Sequence, residues 1–351
     1  MINREIILEI AQKEGKIKTK DLADQFDVSR QYVAMLMNQL VTSRELIKIG
    51  STRSAFYVLP EYLKKHPGIM PTRFVGRFIN KNLEEHKVMT DIEEKFTRIF
   101  ELKDNVRSIF TFSFSEMLNN AIEHSRSKGV VVEVVVTENE LRFTVNDSGV
   151  GVFRNVMKKK NLKNELQAIQ DLLKGKTTTM PKSHSGEGIF FTSKAADVFI
   201  LDSFGHQMMV NNKTDEVSVK EVGMRKRGTR VIFGISTDTN RHLTDIFKKY
   251  TNIKEDSDYG FDKTEIRVKL YTMGGVHISR SQARRILTGL DKFRVVLLDF
   301  DQVPMVGQAF VDEIYRVFKT KYPQIEIQEE NMNEAVKFMV ERAKGEAKKF
   351  K

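Results

Sequence analysis

Three short segments carry residues whose types and spacing could do chemistry on a phosphate-bearing ligand. They are Phe114-Ser115-Glu116-Met117-Leu118-Asn119-Asn120-Ala121, Asn146-Asp147-Ser148-Gly149-Val150-Gly151 and Ser185-Gly186-Glu187-Gly188. Glu116 and Asn120 stand four apart in an apolar-periodic stretch, so on a helix they share a face and direct a carboxylate and an amide oxygen into one space. A carboxylate so placed can orient and deprotonate a water. An amide oxygen suits Mg²⁺, which takes oxygen ligands and shares them with phosphates. Asn119 competes with Asn120 for that second role. Asp147 follows the alternating strand Leu141-Arg142-Phe143-Thr144-Val145 and stands where the chain turns. Its carboxylate can accept from an amine, and Gly149 and Gly151 leave room for a planar ring against the backbone. Ser185, Gly186 and Gly188 precede a predicted short helix over 189–196, whose free amides would face an anion such as phosphate. Each segment has a plainer reading, as a solvated helix end, an Asp-Ser-Gly turn or a glycine-rich helix start. The three together, in this order, point to a nucleotide pocket.

A P-loop does not supply that pocket. Gly175-Lys176-Thr177 has the right ending, but the glycine required five residues earlier is Gln170, and no apolar strand leads in.

The three segments resemble those of the GHKL ATPase superfamily, whose fold is shared by gyrase, MutL, sensor histidine kinases and anti-sigma-factor kinases. The resemblance spans about residues 90–236 and includes Gly228-Thr229, ahead of the strand Arg230-Val231-Ile232-Phe233, as the family's last Gly-Thr element. It implies an α/β sandwich over 73–245 that binds ATP with Mg²⁺. Glu116 would be the base, Asn120 the metal ligand and Asp147 the partner of the adenine amine. Gly149, Gly151, Ser185, Gly186, Gly188 and Thr229 would surround the nucleotide, under a mobile lid at about 152–184.

Composition narrows the class. The 351 residues suffice for two or three domains, and the absence of cysteine removes disulfide and metal–thiolate frameworks. With no long apolar run and no signal-like start, a soluble cytoplasmic protein without membrane association is expected. The net charge of +11 invites a nucleic-acid partner, but its location matters more. Residues 1–60 hold nine Lys/Arg against seven Asp/Glu, whereas 152–184 hold eight Lys/Arg against Glu165 and Asp171. Lys174, Lys176, Lys182 or His184 could touch a triphosphate. The alternative is a solvated face on a helix whose apolar side is Leu162, Leu166, Ile169 and Leu173.

Around this centre the chain divides further. Three helical stripes (Ile6, Ile7, Ile10; Leu22, Ala23, Phe26; Val33, Leu36, Leu40) precede a strand–turn–strand stretch, with Ser29 as N-cap of the third helix. Residues 1–60 resemble a winged helix-turn-helix. That resemblance implies double-stranded DNA as partner, with Arg30, Gln31 and Tyr32 entering the major groove and Lys48 and Arg53 on the backbone. A dimerisation or protein-docking module is the alternative. Pro60, Pro67 and Pro71 mark a linker at 61–72. Residues 73–102 show apolar residues at helical spacing (Phe74, Phe78; Ile92, Phe96, Ile99), and His86 lacks the apolar bracketing of a phosphoacceptor.

From about residue 260 to 351, strand and helix patterns alternate, as in a small α/β domain. This part resembles a STAS-like domain, the fold of anti-sigma-factor antagonists, and more closely the STAS-like tails fused to GHKL domains. The turn where an antagonist carries a phosphorylatable serine reads Asp301-Gln302-Val303-Pro304-Met305-Val306-Gly307-Gln308-Ala309-Phe310, without Ser or Thr. Docking of a protein partner or dimerisation is therefore favoured over phosphorylation in cis. The expected whole is a multidomain α/β protein, a homodimeric ATP-responsive DNA-binding regulator with slow hydrolysis. The alternatives are an anti-sigma-type kinase acting on a separate partner and a scaffold that binds nucleotide without turnover.

Overall fold

The computed structural model describes residues 2–50, 55–176, 187–223, 226–251, 262–268 and 279–349. Three helices open the chain, α1 (Arg4–Glu14), α2 (Thr19–Gln25) and α3 (Arg30–Thr42), followed by the antiparallel strands β1 (Ile47–Ile49) and β2 (Phe56–Val58). Ser29 Oγ accepts from the Tyr32 amide at 3.2 Å and fixes the start of α3. Ile7, Leu22, Val33, Met37 and Leu40 form a small core of their own. The proline-bracketed stretch expected to be a linker holds a short helix, α4 (Pro60–Lys65), with Pro60 at the first position, where its missing N–H is not needed.

The next part begins with β3 (Arg73–Ile79), not the helix that Phe74 and Phe78 suggested. A spacing of four also satisfies a period of two, and Arg73, Val75, Arg77 and Ile79 alternate outward from this edge strand. Then come α5 (Glu85–Lys95), α6 (Asp104–Asn119) running into a π-helical turn over Asn120–His124, β4 (Gly129–Val136) and β5 (Glu140–Asp147). Helices α7 (Val152–Lys159), α8 (Glu165–Lys174) and α9 (Gly188–Ala195) follow. Strands β6 (Val198–Ser203), β7 (His206–Asn211), β8 (Glu216–Glu221) and β9 (Thr229–Ser236), then α10 (Leu243–Tyr250), complete it. The seven strands form an antiparallel sheet in the order β3-β4-β5-β9-β6-β7-β8. Phe143 of β5 stacks on Phe233 of β9 with ring centroids 4.8 Å apart, and Phe114 of α6 meets Phe143 edge-on at 5.4 Å. These aromatic contacts lock the helix that carries Glu116 to the middle of the sheet.

The C-terminal part opens with β10 (Lys263–Arg267), α11 (Arg280–Leu287), β11 (Val295–Asp299) and α12 (Gln308–Asp312). Helix α12 continues through a π-helical stretch, Glu313–Phe318, into α13 (Lys319–Lys321), and β12 (Glu326–Glu330) and α14 (Glu334–Lys349) follow. The pattern Ile266-Arg267-Val268-Lys269-Leu270 predicts the first strand, which lies instead at Lys263–Arg267; residues 269 and 270 fall outside the described residues. Its three strands are parallel in the order β10-β11-β12, as helical crossovers require. One apolar core runs continuously from the seven-stranded sheet into this part, through Ile266, Ile286, Leu298 and Val336. Among the described residues no helix is long and apolar enough to cross a membrane.

Candidate functional site

Strand register builds the centre of the site. Asn146 of β5 faces Arg230 of β9, and Thr229 faces Ser203 of β6, so the end of β5 meets the start of β9. The buried Asp147 carboxylate accepts from the amides of Gly149 (2.8 Å) and Thr229 (3.2 Å) through Oδ1. Gly228 has φ +79°, and a Cβ there would lie 2.4 Å from the Asp147 carbonyl oxygen and 2.6 Å from Oδ1, so no other residue fits. Burial pushes the Asp147 carboxyl above its ordinary range, and the two amides and the charge of Lys226 oppose that shift. Lys226 Nζ donates to the Asp147 carbonyl oxygen at 2.6 Å. The result is a desolvated acceptor at a strand end, suited to an amine donor.

The turn after Asp147 is moulded from behind. A Cβ on Gly149 would lie 1.8 Å from the Ser125 carbonyl oxygen, which itself accepts from the Val150 amide at 2.7 Å. Ser127 Oγ accepts from the Ser148 amide at 3.1 Å. Gly151 has φ +80°, and its Cβ would lie 2.4 Å from the Phe204 ring, over which the Arg154 guanidinium stacks at 3.8 Å. Both glycines are thus demanded by the protein's own close approaches. Their bareness answers a packing demand within the protein, beside the expected room for a ring.

The first and third segments also meet. Glu116, Asn119 and Asn120 are half-buried at the exit of α6, and Asn120 keeps helical dihedrals, so Glu116 and Asn120 share a face. Gly188 opens α9 against them, where a Cβ would lie 2.0 Å from Glu116 Oε2. Ser185 and Gly186, like Lys182 and His184, lie outside the described residues. Thr229 joins the site twice, since its Oγ1 accepts from the Val152 amide at 3.0 Å and so ties the start of α7 to β9. Among the described residues no group of three or more His, Asp or Glu could hold a metal. The half-buried Asn120 brings an amide oxygen, a donor type that Mg²⁺ accepts, to the same helix face as Glu116.

Within the basic stretch over 152–176, Lys174 departs from both expectations. Lys174 is neither a phosphate contact nor a solvated side chain. It is buried, and its Nζ donates to the carbonyls of Arg285 (2.9 Å) and Thr288 (2.8 Å) in the C-terminal part. Lys176 Nζ donates to the Lys292 carbonyl at 3.0 Å. Among the described lysines of this stretch, Lys158, Lys159 and Lys163 keep the exposed character of a solvated face.

Arg30 and Gln31 are exposed at the start of α3, and Tyr32 is 36% exposed. Lys48 is half-buried with its ammonium 5.8 Å from the Tyr57 ring centre, and Arg53 lies outside the described residues. The outer face of α3 continues through the 48%-exposed Met35 and the exposed Asn38. Sequence reasoning passed over Ser125, Ser127 and Lys226. The tripeptide Ser125-Arg126-Ser127 just past the helix offers a turn signal, whereas nothing local marks Lys226 as a neighbour of Asp147.

Comparison with known proteins agrees with this geometry. Residues 79–213 match the family model of a histidine kinase-like ATPase domain, and residues 282–337 match that of a STAS-like domain of unknown function. A domain of the first kind fits ATP binding, usually with Mg²⁺. No curated protein matches the chain.

Proposed function

We propose that the chain is an ATP-responsive DNA-binding regulator in which Mg-ATP binding and slow hydrolysis set how its parts, or two copies of it, are held. The observation that carries the nucleotide half is the buried Asp147 carboxylate, clasped by the Gly149 and Thr229 amides beside a Glu116 that packs on Gly188. Asp147 would accept from the adenine amine, and the first amides of α9 would face phosphate. Asn120 would hold Mg²⁺, which supplies charge neutralisation at the phosphates. Glu116 would take a proton from the water whose oxygen bonds to the terminal phosphorus as ADP departs.

The DNA half rests on reading residues 1–60 as a winged helix-turn-helix, a reading supported by three helices ahead of the strand pair β1–β2 and by Arg30 and Gln31 exposed at the head of the capped α3. Nucleotide shifts the balance between arrangements only by its differential affinity for them. The STAS-like part then offers a surface for a protein partner or a second copy. The histidine kinase-like match also favours a second reading, a kinase of the anti-sigma type acting on a separate protein. Incubating the full chain and a cell lysate with γ-labelled ATP separates the two. Free labelled phosphate alone is the expected result, and label appearing on a lysate protein would replace the first reading by the second. No label released or transferred, with ATP bound by calorimetry, would leave a switch without turnover.

A further inference from the structure

Helix α9, which opens beside Glu116, and helix α8, which packs on it, both finish on the C-terminal part. Helix α9 starts at Gly188, against Glu116, and its last turn carries Lys194, whose Nζ lies 3.6 Å from Glu265 of β10. Eight residues of helix make a rod about 12 Å long, stiff enough to carry a displacement from one end to the other. Lys194 is held between the Phe190 and Tyr250 rings, at 5.7 and 5.5 Å from their centres, so the ion pair sits on a packed support. Arg267 of the same strand pairs with Asp215 in the turn between β7 and β8 and approaches Glu265 at 3.6 Å.

Helix α8 ends on the neighbouring surface. Lys174 Nζ donates to two carbonyls at the exit of α11, where the helix dipole favours a cation, and the Lys174 carbonyl accepts from the buried Thr264 hydroxyl at 2.6 Å. Lys176 and Lys292 then exchange bonds, each ammonium donating to the other's carbonyl, at 3.0 and 3.3 Å. A cation as deeply buried as Lys174 is tolerated only where its donors are satisfied, so this junction has one close-fitting arrangement.

We propose that the C-terminal part positions the phosphate end of the nucleotide site in cis, with Lys174, Thr264, Lys194 and Glu265 as positioning residues, so that nucleotide binding and the hold on this tail strengthen each other. This rests on the nucleotide reading of the pocket. Energetic coupling between sites is reciprocal, so whatever factor the junction contributes to nucleotide affinity, nucleotide returns to the junction. The four residues act on Glu116 and Gly188 through α8 and α9, the helices on which they bear.

The test is hydrogen exchange on the full chain with and without saturating AMP-PNP and Mg²⁺, together with calorimetric affinities for wild type, Thr264→Val and Glu265→Gln. In wild type, nucleotide is expected to slow exchange of the β10 amides and of Thr288. Both substitutions should shrink that increment and weaken nucleotide binding about five- to fiftyfold. A merely structural junction would leave the tail amides insensitive to nucleotide, and that result in the wild-type chain overturns the proposal without any variant. Variants that keep wild-type affinity and the full increment overturn it as well. If wild type binds no AMP-PNP, the nucleotide reading falls first and takes this inference with it.

Discussion

Glu116 and Gly188 occupy adjoining space so closely that one added methyl group would collide with the carboxylate, Cβ to Oε2 at 2.0 Å. The glycine that opens α9 is therefore a condition for where the candidate base sits. Two segments far apart in sequence are joined there into one site.

Gly188→Ala is expected to fold, because the far end of the Glu116 side chain can move aside, but the displaced carboxylate should cost turnover about a hundredfold. Glu116→Ala should keep nucleotide binding and lose about 10²–10⁴-fold in turnover. Phosphate release under saturating ATP, read beside thermal unfolding, checks both. Wild-type turnover in Gly188→Ala would show that Glu116 is not the base.

Asp147→Asn isolates the acceptor. The Asn oxygen still takes the Gly149 and Thr229 amide bonds, so the turn should persist, while the charge-assisted bond to an amine, worth about 1.5–3 kcal/mol, disappears. Because burial raises the folded pKa of Asp147, its contribution to stability is present below the unfolded value and lost as pH rises through the folded one. At neutral pH the desolvation cost is fully felt, and Asp147→Asn should unfold no sooner than wild type while binding ATP poorly. Calorimetry and urea unfolding at pH 7 report the two effects separately.

Lys174 gives the opposite titration. Burial lowers it to about 8, against about 10.4 in an unfolded chain, so between those values the unfolded state holds the extra proton and stability rises with pH. The gain is on the order of 3 kcal/mol at most. Lys176, Lys194, Lys226 and Lys292 are lowered by burial too and add in the same direction. Urea midpoints at pH 7.5, 9 and 10 should climb in wild type and climb less in Lys174→Met. A midpoint falling over this range would contradict the burial of these ammonium groups.

Arg30→Ala with Gln31→Ala should leave the cap and the small N-terminal core intact, since both side chains are exposed. Each base edge that the double variant can no longer read should weaken DNA binding by about 1–3 kcal/mol. Fluorescence anisotropy with a labelled duplex at several salt concentrations measures it. An unchanged affinity would move any DNA contact away from the head of α3.

The place of Asp147 at a strand end and of Glu116 on a helix is legible in the sequence because strand alternation and helix spacing are local properties of residues 141–147 and 114–121. Phe74 and Phe78 misled because their separation serves either period, and only pairing with β4 decides between them. The roles of Gly149 and Gly151 were hidden for another reason. The atoms they must avoid belong to Ser125 and Phe204, which the fold brings near and no spacing rule announces. Lys174 was the furthest from reach, since an amphipathic basic helix reads the same whether its cations meet water, phosphate or the carbonyls of another domain.

If the Asp147 site is a nucleotide switch, filling it must change what the chain does with DNA or with a second copy of itself. Sedimentation velocity of the full chain with a labelled duplex, with and without AMP-PNP and Mg²⁺, reads both quantities in one experiment. Nucleotide is expected to shift the bound fraction or the oligomeric state in wild type and to do neither in Asp147→Asn. Identical profiles with and without nucleotide, under conditions where calorimetry shows the site filled, would contradict the switch.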